Sequence, residues 1–356
     1  MFVVMKPNHS ATDLKQVLKT LAASGFEARI SATDDKIILN IEAADAKPLS
    51  GMFVQKISAL SGVQDVVLAE RKAVEKEIQV GNVIFGAGRF AVIAGPCAVE
   101  SEAQTLRIAH AVKAAGAHVL RGGAFKPRTS PHSFQGLGPD GLKILDLARQ
   151  ETGLPIVTEV LDVRSVEVVS QFADLIQIGA RNMQNYTLLK EVARQKKPVL
   201  LKRGMSATID EWLMAADYIL SGGNENVILC ERGIRHFDKH TRFLLDLSAV
   251  PVVRSMSALP VIVDPSHASG RRDLIAPLAR ASLAAGASAV MIDVHDRPHE
   301  ALCDGPQALL PAEFALLMES LRAMAPALNC VMDAENELRP FSALQGFAST
   351  PVGYQA

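Results

Sequence analysis

The segment FAVIAGPCAVES, residues 90–101, carries the pattern that decides the fold: an apolar run of strand length followed at once by glycine, proline and polar residues. This pattern recurs about eight times along the chain, with helix-like stretches between the runs. Short, nearly all-apolar runs are typical of parallel strands covered on both faces, and eight of them over about 240 residues favour a closed (β/α)8 TIM barrel of α/β class. A doubly wound sheet is the alternative. The predicted strands are Phe90–Ala94, Ala117–Leu120, Pro155–Thr158, Ala173–Ile178, Pro198–Leu201, Val227–Leu229, Pro260–Val263 and Ala287–Ile292.

The stretches between the runs have the apolar spacing of helices that pack on a barrel. In the stretch after Arg272, a proline at position 277 predicts a kink. The residues expected to face the barrel there are Leu274, Leu278, Ala281 and Ala285.

Residues 1–72 follow a different plan. Strand-like and helix-like stretches alternate there in the order βαββαβ, which predicts a small α+β ferredoxin-like domain. Residues 73–89 are predicted to form a linker and a β-hairpin with Gly81-Asn82 at its turn, and residues 90–328 the barrel. Residues 329–356 are polar and interrupted by Pro and Gly, so we expect a loosely held C-terminal tail.

Composition excludes several classes of protein. The 356 residues are 49% hydrophobic and 21% charged, with a net charge of −1, so we expect a folded protein without attraction to nucleic acid or a membrane surface. No apolar stretch reaches the ~18–20 residues of a membrane span, and nothing at the N-terminus marks export, so the cytoplasm is the expected location. Four scattered cysteines do not form a disulfide framework. No glycine motif matches a nucleotide fingerprint, so no nucleotide cofactor is expected.

Positive side chains follow the predicted strands repeatedly. Barrel enzymes place their reacting groups at the C-terminal ends of the strands, so these cations are expected to converge on one site. Guanidinium and ammonium groups bind phosphates and carboxylates, which predicts a substrate with several anionic groups or two such substrates. The alternative is a structural role in salt bridges with Glu159 or Glu231. The cations are Arg121, Lys126, Arg128, Arg181, Lys202 and Arg232.

Cys97, His267, Asp293 and Asp304 also follow predicted strands. A thiolate, an imidazole and two carboxylates suit a divalent transition metal, namely Mn, Fe, Co or Zn, better than Mg²⁺ or Ca²⁺. Taken singly, Cys97 could be an inert core residue and His267 a hydrogen-bonded core histidine. A Cys–His nucleophilic pair is the rival chemical use, and the two acidic residues favour the metal.

Several motifs together resemble the type I 3-deoxy-D-arabino-heptulosonate 7-phosphate (DAHP) synthases, in the branch with an N-terminal ferredoxin-like regulatory domain. The resemblance runs through most of residues 78–322. It is carried by GPC at 95–97, RGGAFKPRTSP at 121–131, QIGARNMQN at 177–185, LLKRGM at 200–205, CERGIR at 230–235 and VDPSH at 263–267.

The resemblance implies a metal-dependent condensation of phosphoenolpyruvate with erythrose 4-phosphate, the first step of the shikimate pathway to aromatic amino acids. It implies that Arg121, Lys126, Arg181, Lys202 and Arg232 bind phosphoenolpyruvate. Arg128 and Thr129 would bind the aldose phosphate. It assigns the metal to Cys97, His267, Asp293 and Asp304, with catalytic roles for Lys126, Cys97 and His267. The family usually has Glu where this chain has Asp293, so the reach or preference for the metal is expected to differ.

Two alternatives remain beside this function. A sister family, 3-deoxy-D-manno-octulosonate 8-phosphate synthase, uses arabinose 5-phosphate on the same barrel, but it has an Asn-Arg-Ser-Ser type sequence where this chain has KPRTS at 126–130. The other alternative is a non-catalytic amino-acid sensor. The resemblance also implies feedback regulation, with Tyr or Phe bound between N-terminal domains, and a homotetramer; the plainer interpretation of that domain is a folding or oligomerisation module.

Overall fold

The computed structural model describes residues 1–33, 36–43, 51–67, 75–128 and 130–332. The N-terminal unit has the predicted order βαββαβ: β1 (Phe2–Met5), α1 (Ala11–Ala23), β2 (Phe26–Thr33), β3 (Lys36–Ala43), α2 (Gly51–Ser58) and β4 (Val63–Val67). The sheet order is β2-β3-β1-β4, and each neighbouring pair is antiparallel. Val3 and Leu39 on the sheet pack with Val17 and Ile57 on the helices in one core. This arrangement is the predicted ferredoxin-like fold.

Eight parallel strands form a closed barrel, and each overlaps one of the predicted apolar runs. The ring closes where the last strand pairs with the first, with Ala289 beside Ala91 and Asp293 beside Gly95. The (β/α)8 prediction is therefore confirmed, because a doubly wound sheet would leave two open edges. The strands are β7 (Ala91–Gly95), β8 (Val119–Arg121), β9 (Ile156–Val160), β10 (Leu175–Ile178), β11 (Val199–Lys202), β12 (Val227–Glu231), β13 (Val261–Val263) and β14 (Ala289–Asp293).

Several of the barrel helices begin at a side chain that accepts a hydrogen bond from one of the first backbone N–H groups. Ser101 accepts from the N–H of Gln104, and Thr208 forms a reciprocal capping box with Glu211. Among the described residues, no helix is both long and apolar enough to span a bilayer. The helices are α3 (Glu102–Ala115), α4 (Pro139–Thr152), α5 (Val166–Phe172), α6 (Tyr186–Ala193), α7 (Ile209–Ser221), α8 (Ala249–Met256), α9 (Pro265–Ser269), α10 (Ile275–Ala284) and α11 (Pro311–Met324).

In α10 the residues that are buried differ from those predicted to face the barrel, so that prediction was wrong. A separate 3-10 turn, Arg272–Leu274, precedes the helix, and Pro277 lies in the first turn of α10, where its missing N–H breaks no intrahelical bond. The predicted face failed because an alanine-rich helix offers apolar residues on several sides, so spacing alone does not select one. The fully buried residues are Ile275, Ala279, Ser282 and Leu283.

A hairpin of β5 (Ile78–Val80) and β6 (Val83–Phe85) closes the N-terminal end of the barrel, and its turn falls at Gly81-Asn82 as predicted. Phe85 is fully buried in one cluster with inward-facing strand residues such as Ile93 and Ile228. The opposite end, which we call the C-terminal rim, is therefore where side chains can meet a ligand.

The first residues of the predicted tail are attached to the barrel. The N–H of Phe90 donates to the carbonyl of Val331 at 2.9 Å, and the N–H of Val331 donates to that of Gly88 at 3.0 Å. Met332 is buried. For these residues the expectation of loose attachment was wrong, because they extend the hydrogen bonding at the start of β7; residues 333–356 lie outside the described residues.

Candidate active site

The described site candidates all lie at the C-terminal rim. Arg121, Lys202 and Asp293 are the last residues of β8, β11 and β14, and Arg232 follows β12 directly. Because each candidate follows a parallel strand, all belong to the same end of the barrel. Thr129 lies outside the described residues. The remaining candidates occupy loops and short helices after the strands: Cys97, Lys126, Arg128, Arg181, His267 and Asp304.

Cys97, His267, Asp293 and Asp304 form a compact set, which we call the four-donor cluster. One ligand atom from each lies within 4.8 Å of all the others. Cys97 Sγ is 3.8 Å from His267 Nε2 and 3.3 Å from Asp304 Oδ2. His267 Nε2 lies 3.7 Å from Oδ2 of each aspartate. The structure therefore brings together all four predicted ligands, and the shorter side chain of Asp293 reaches the cluster.

Asp264 supports the cluster from behind and was missed by sequence reasoning. Its carboxylate is fully buried, with Oδ2 2.9 Å from His267 Nδ1, so Nε2 is the histidine nitrogen that faces the cluster. The same Oδ2 accepts from Lys202 Nζ at 2.5 Å. Asp264 is also the N-cap of α9, accepting from the backbone N–H of His267 at 2.9 Å. Its position three residues before His267 was the signal available in the sequence.

Cys97 and His267 are both protonated at neutral pH without a bound cation. A hydrogen bond with Cys303 and burial of the thiol raise the pKa of Cys97 well above that of an ordinary cysteine. Burial acts to lower the pKa of His267, but the carboxylates of Asp264 and Asp293 outweigh it and raise that pKa to about 9. A metal bound to these two side chains therefore displaces two protons.

A cavity of about 260 Å³ adjoins the four-donor cluster, and His267 and Asp304 form part of its wall. Lys126 connects the two, since its Nζ lies 3.1 Å from Cys97 Sγ and donates to the Cys97 carbonyl at 3.0 Å. All six predicted cations line this cavity, and sequence reasoning missed a seventh. The seven are Arg121, Lys126, Arg128, Arg181, Lys202, Arg232 and Arg242.

Two buried arginines near the rim differ in their partners. Arg203 is paired with Glu231 and Asp246, each at 2.9 Å. Among the described residues, Nη1 of Arg232 has no hydrogen-bond partner, and the guanidinium instead lies 4.3 Å from the ring centre of Phe243. Glu231 is thus neutralised by Arg203, which is not one of the cavity cations. Arg232 is therefore not held in a structural salt bridge with Glu231, which was the alternative interpretation of the cations.

Cys303 was also missed, since its sequence position showed no partner. It is buried, with Sγ 3.4 Å from Cys97 Sγ, and it accepts from Arg128 Nη1 at 2.7 Å. It therefore lies between the four-donor cluster and a cavity cation. Its place directly before Asp304 was the signal that could have found it.

Comparison with known proteins adds a second line of evidence. Residues 66–328 match the model of the family described as the DAHP synthetase I family. The chain belongs to this family. A family relative from Thermotoga maritima, named phospho-2-dehydro-3-deoxyheptonate aldolase, is 44% identical over 338 residues, which cover 92% of this chain and 99% of the relative.

Similar solved structures support the same family assignment. The chain resembles the crystal structure of the Thermotoga maritima phospho-2-dehydro-3-deoxyheptonate aldolase (DAHP synthase) with a TM-score of 0.72 and 42% identity, over 93% of this chain and 99% of that one. A truncated form of the DAHP synthase from the same organism gives a TM-score of 0.69 and 45% identity, over 73% and 95%. A 2-dehydro-3-deoxyphosphooctonate aldolase from Geotalea uraniireducens is 32% identical over 70% of this chain.

DAHP synthase activity is the function that these comparisons support for this family member, a transferase reaction that forms a carbon–carbon bond. The octulosonate alternative is weaker, because relatives that carry that name, such as the one from Geotalea uraniireducens, are less similar and match less of the chain.

Proposed function

We propose that the C-terminal rim condenses phosphoenolpyruvate with erythrose 4-phosphate to give DAHP and inorganic phosphate. The observation that carries this proposal is the shared wall of the cation-lined cavity and the four-donor cluster. Both reactants carry phosphate, which requires cations, and the aldehyde of the sugar must be polarised for attack. C3 of phosphoenolpyruvate attacks the aldehyde carbon, water adds at C2, and the phosphate on C2 leaves.

Phosphoenolpyruvate is proposed to occupy the deeper part of the cavity. Arg121, Lys126, Lys202 and Arg232 are each at most 8% exposed. A buried cation is costly unless an anion compensates it; Asp293 compensates Arg121, and Asp264 compensates Lys202. Nη1 of Arg232, in contrast, has no hydrogen-bond partner among the described residues, which supports the binding of an anion there. We propose that these four side chains and Arg181 hold the carboxylate and the phosphate of this substrate.

The aldose phosphate is proposed to bind at Arg128 and Thr129. Arg128 lines the same cavity and reaches Cys303 beside the four-donor cluster, so a short sugar bound through its phosphate could bring its aldehyde to the cluster. Arg128 is partly exposed, which suits a substrate that enters from solvent.

The four-donor cluster is proposed to hold a divalent transition metal: Mn, Fe, Co or Zn. Its mixed sulfur, nitrogen and oxygen donors fit these ions, whereas Mg²⁺ and Ca²⁺ prefer oxygen ligands alone. A bound ion would act as a Lewis acid on the aldehyde oxygen. Lys126, whose Nζ lies 3.1 Å from Cys97 Sγ, is proposed to donate a hydrogen bond to the oxygen on which negative charge develops. Lys126, Cys97 and His267 are the proposed catalytic residues.

Metal content and activity test the metal site. Cys97→Ala and Asp293→Ala should each lose bound metal and activity in parallel, and adding excess metal after chelation should restore only the wild type. Full activity and full metal content in both variants would contradict the proposal.

The choice of aldose is tested by product formation from each sugar. We expect condensation with erythrose 4-phosphate and little with arabinose 5-phosphate, as the loop KPRTS at 126–130 indicates. Faster product formation from arabinose 5-phosphate would establish the octulosonate alternative, and no product from either sugar would favour the non-catalytic sensor.

Regulation, assembly and location are further parts of the proposal. The ferredoxin-like unit, with its proposed boundary near residue 72, is proposed to bind an aromatic amino acid, and the chain to form a homotetramer. The cytoplasm is the proposed location, because four scattered cysteines do not make the disulfide framework that is typical of exported proteins. Rate assays with added Tyr, Phe or Trp test the regulation, and insensitivity to all three amino acids would reject it. The molecular mass of the protein in solution tests the homotetramer.

A further inference from the structure

Gln307 is a buried amide beside the four-donor cluster to which the proposed reaction gives no role. It is 2% exposed and ends the short 3-10 turn Gly305–Gln307 that follows Asp304. Its backbone N–H donates to the carbonyl of Asp304 at 3.2 Å. Asp304 itself has a left-handed φ of 53°, which few residue types other than Gly, Asn and Asp adopt readily. One turn thus fixes both the metal-ligand candidate and the amide.

The Gln307 side chain links the two carboxylates of the cluster. Its Nε2 donates to Asp293 Oδ2 at 2.6 Å, and this is the oxygen that lies 3.7 Å from His267 Nε2. Its Oε1 accepts from Arg242 Nη1 at 3.4 Å, and the same Nη1 donates to Asp304 Oδ1 at 3.3 Å. The row Asp293, Gln307, Arg242 and Asp304 therefore runs along one side of the cluster.

This row decides the position of Asp293 Oδ2. The other oxygen, Oδ1, accepts from Arg121 Nη1, which fixes one end of the carboxylate. The terminal torsion of an aspartate is broad, so a hydrogen bond to Oδ1 alone leaves the carboxylate plane free to turn about that contact. The hydrogen bond from Gln307 removes that freedom and uses one lone pair of Oδ2, leaving another directed to the cluster.

We propose that Gln307 is a positioning residue for the metal site, holding Asp293 Oδ2 where it can bind the ion and tying it through Arg242 to Asp304. A side-chain amide suits this role because it donates to a carboxylate at one end and accepts from a guanidinium at the other. A glutamate would only accept, and a methionine would do neither. This inference rests on the proposed function, in that it takes the four-donor cluster as the metal site.

The test is a metal titration of full-length Gln307→Met without substrates, with Mn²⁺ or Zn²⁺ in competition with a chromophoric chelator. Loss of a hydrogen-bond partner behind a ligand should raise the Kd for the metal about 10- to 100-fold. Gln307→Asn, which keeps the amide but is one methylene shorter, should also weaken binding and covers the case in which the methionine variant misfolds. The Kd of the metal-free protein for phosphoenolpyruvate should stay within about twofold of wild type.

Asn224→Leu is the matched control. Asn224 is also a buried amide, and its Nδ2 donates to the carbonyls of Gln195 and Lys197 at 2.8 Å each, but it lies before β12 at the opposite end of the barrel. Its loss should leave the metal Kd unchanged.

Three results would overturn the inference alone: wild-type metal affinity in folded Gln307 variants, an equal loss in Asn224→Leu, or an equal loss of phosphoenolpyruvate affinity. A wild-type protein that binds neither metal would instead overturn the proposed metal site, and the inference with it.

Discussion

Replacing Arg232 by methionine should make the free protein more stable while it destroys substrate binding. The guanidinium is 6% exposed, and burial lowers its pKa, which shows that the charged form is poorly accommodated. Its Nη1 has no partner in the part of the chain that the structure describes. An unsatisfied buried polar group costs about 1–3 kcal/mol, so Arg232→Met should raise the free energy of unfolding by an amount of that order. The methionine sulfur should keep part of the contact with Phe243.

The same variant should lose phosphoenolpyruvate. Truncating one partner of a buried charge pair costs about 2–5 kcal/mol, which corresponds to a Kd about 30- to 4,000-fold higher. Denaturant unfolding without substrate or phosphate gives the first quantity, and calorimetric titration gives the second.

Arg203→Met is the matched comparison, because Arg203 is equally buried but fully paired. Its removal leaves the carboxylate of Glu231, which is 0% exposed, without its cation, and should cost about 3–5 kcal/mol of stability. The two arginine variants should therefore change stability in opposite directions. If Arg232→Met is destabilised like Arg203→Met, or binds phosphoenolpyruvate within threefold of wild type, the assignment of Arg232 to an absent anion is refuted.

Three further predictions concern the metal, the sugar and the barrel core. Cys97 and His267 must each lose a proton to bind the metal, and both are protonated at neutral pH. The affinity for the metal should therefore rise with pH, by up to about 100-fold per pH unit. A Kd for the metal that is equal at pH 7 and pH 8 would contradict this. Arg128→Met should raise the KM for erythrose 4-phosphate about 10- to 150-fold in steady-state assays, because a charge-assisted hydrogen bond is lost. A similar rise in the KM for phosphoenolpyruvate would argue against a specific role of Arg128 in binding the sugar phosphate. Phe85→Ala should cost about 3–5 kcal/mol of unfolding free energy without changing phosphoenolpyruvate affinity, because the hairpin lies at the opposite end from the rim; an altered substrate Kd would show that the two ends are coupled.

The barrel and its rim were predictable because each βα unit repeats the same local signal. In FAVIAGPCAVES an apolar run ends at Ala94, three residues before Cys97, and the fold then brings every such endpoint to one end. Residues as distant in sequence as Cys97 and His267 are neighbours for this reason, and the strand pattern alone was enough to group them.

Contacts between side chains were not predictable in the same way. Arg203 and Arg232 both follow strand ends, and only the structure shows that Arg203 takes Glu231 as its partner while Arg232 points into the cavity. Cys303 and Gln307 lie on a loop without periodicity, so their directions depend on the backbone turn at residue 304 and not on any repeat.

The hairpin packs on the N-terminal end of the barrel, so the C-terminal rim is the end of the described barrel at which reactants can enter. Lys202 and Arg232 line the cavity and are only 4% and 6% exposed, whereas Arg128 is partly open to solvent. A sugar phosphate held at Arg128 would therefore block the route to the deeper cations. If the two reactants bind as proposed, phosphoenolpyruvate would enter before the sugar phosphate, which would then separate it from bulk water.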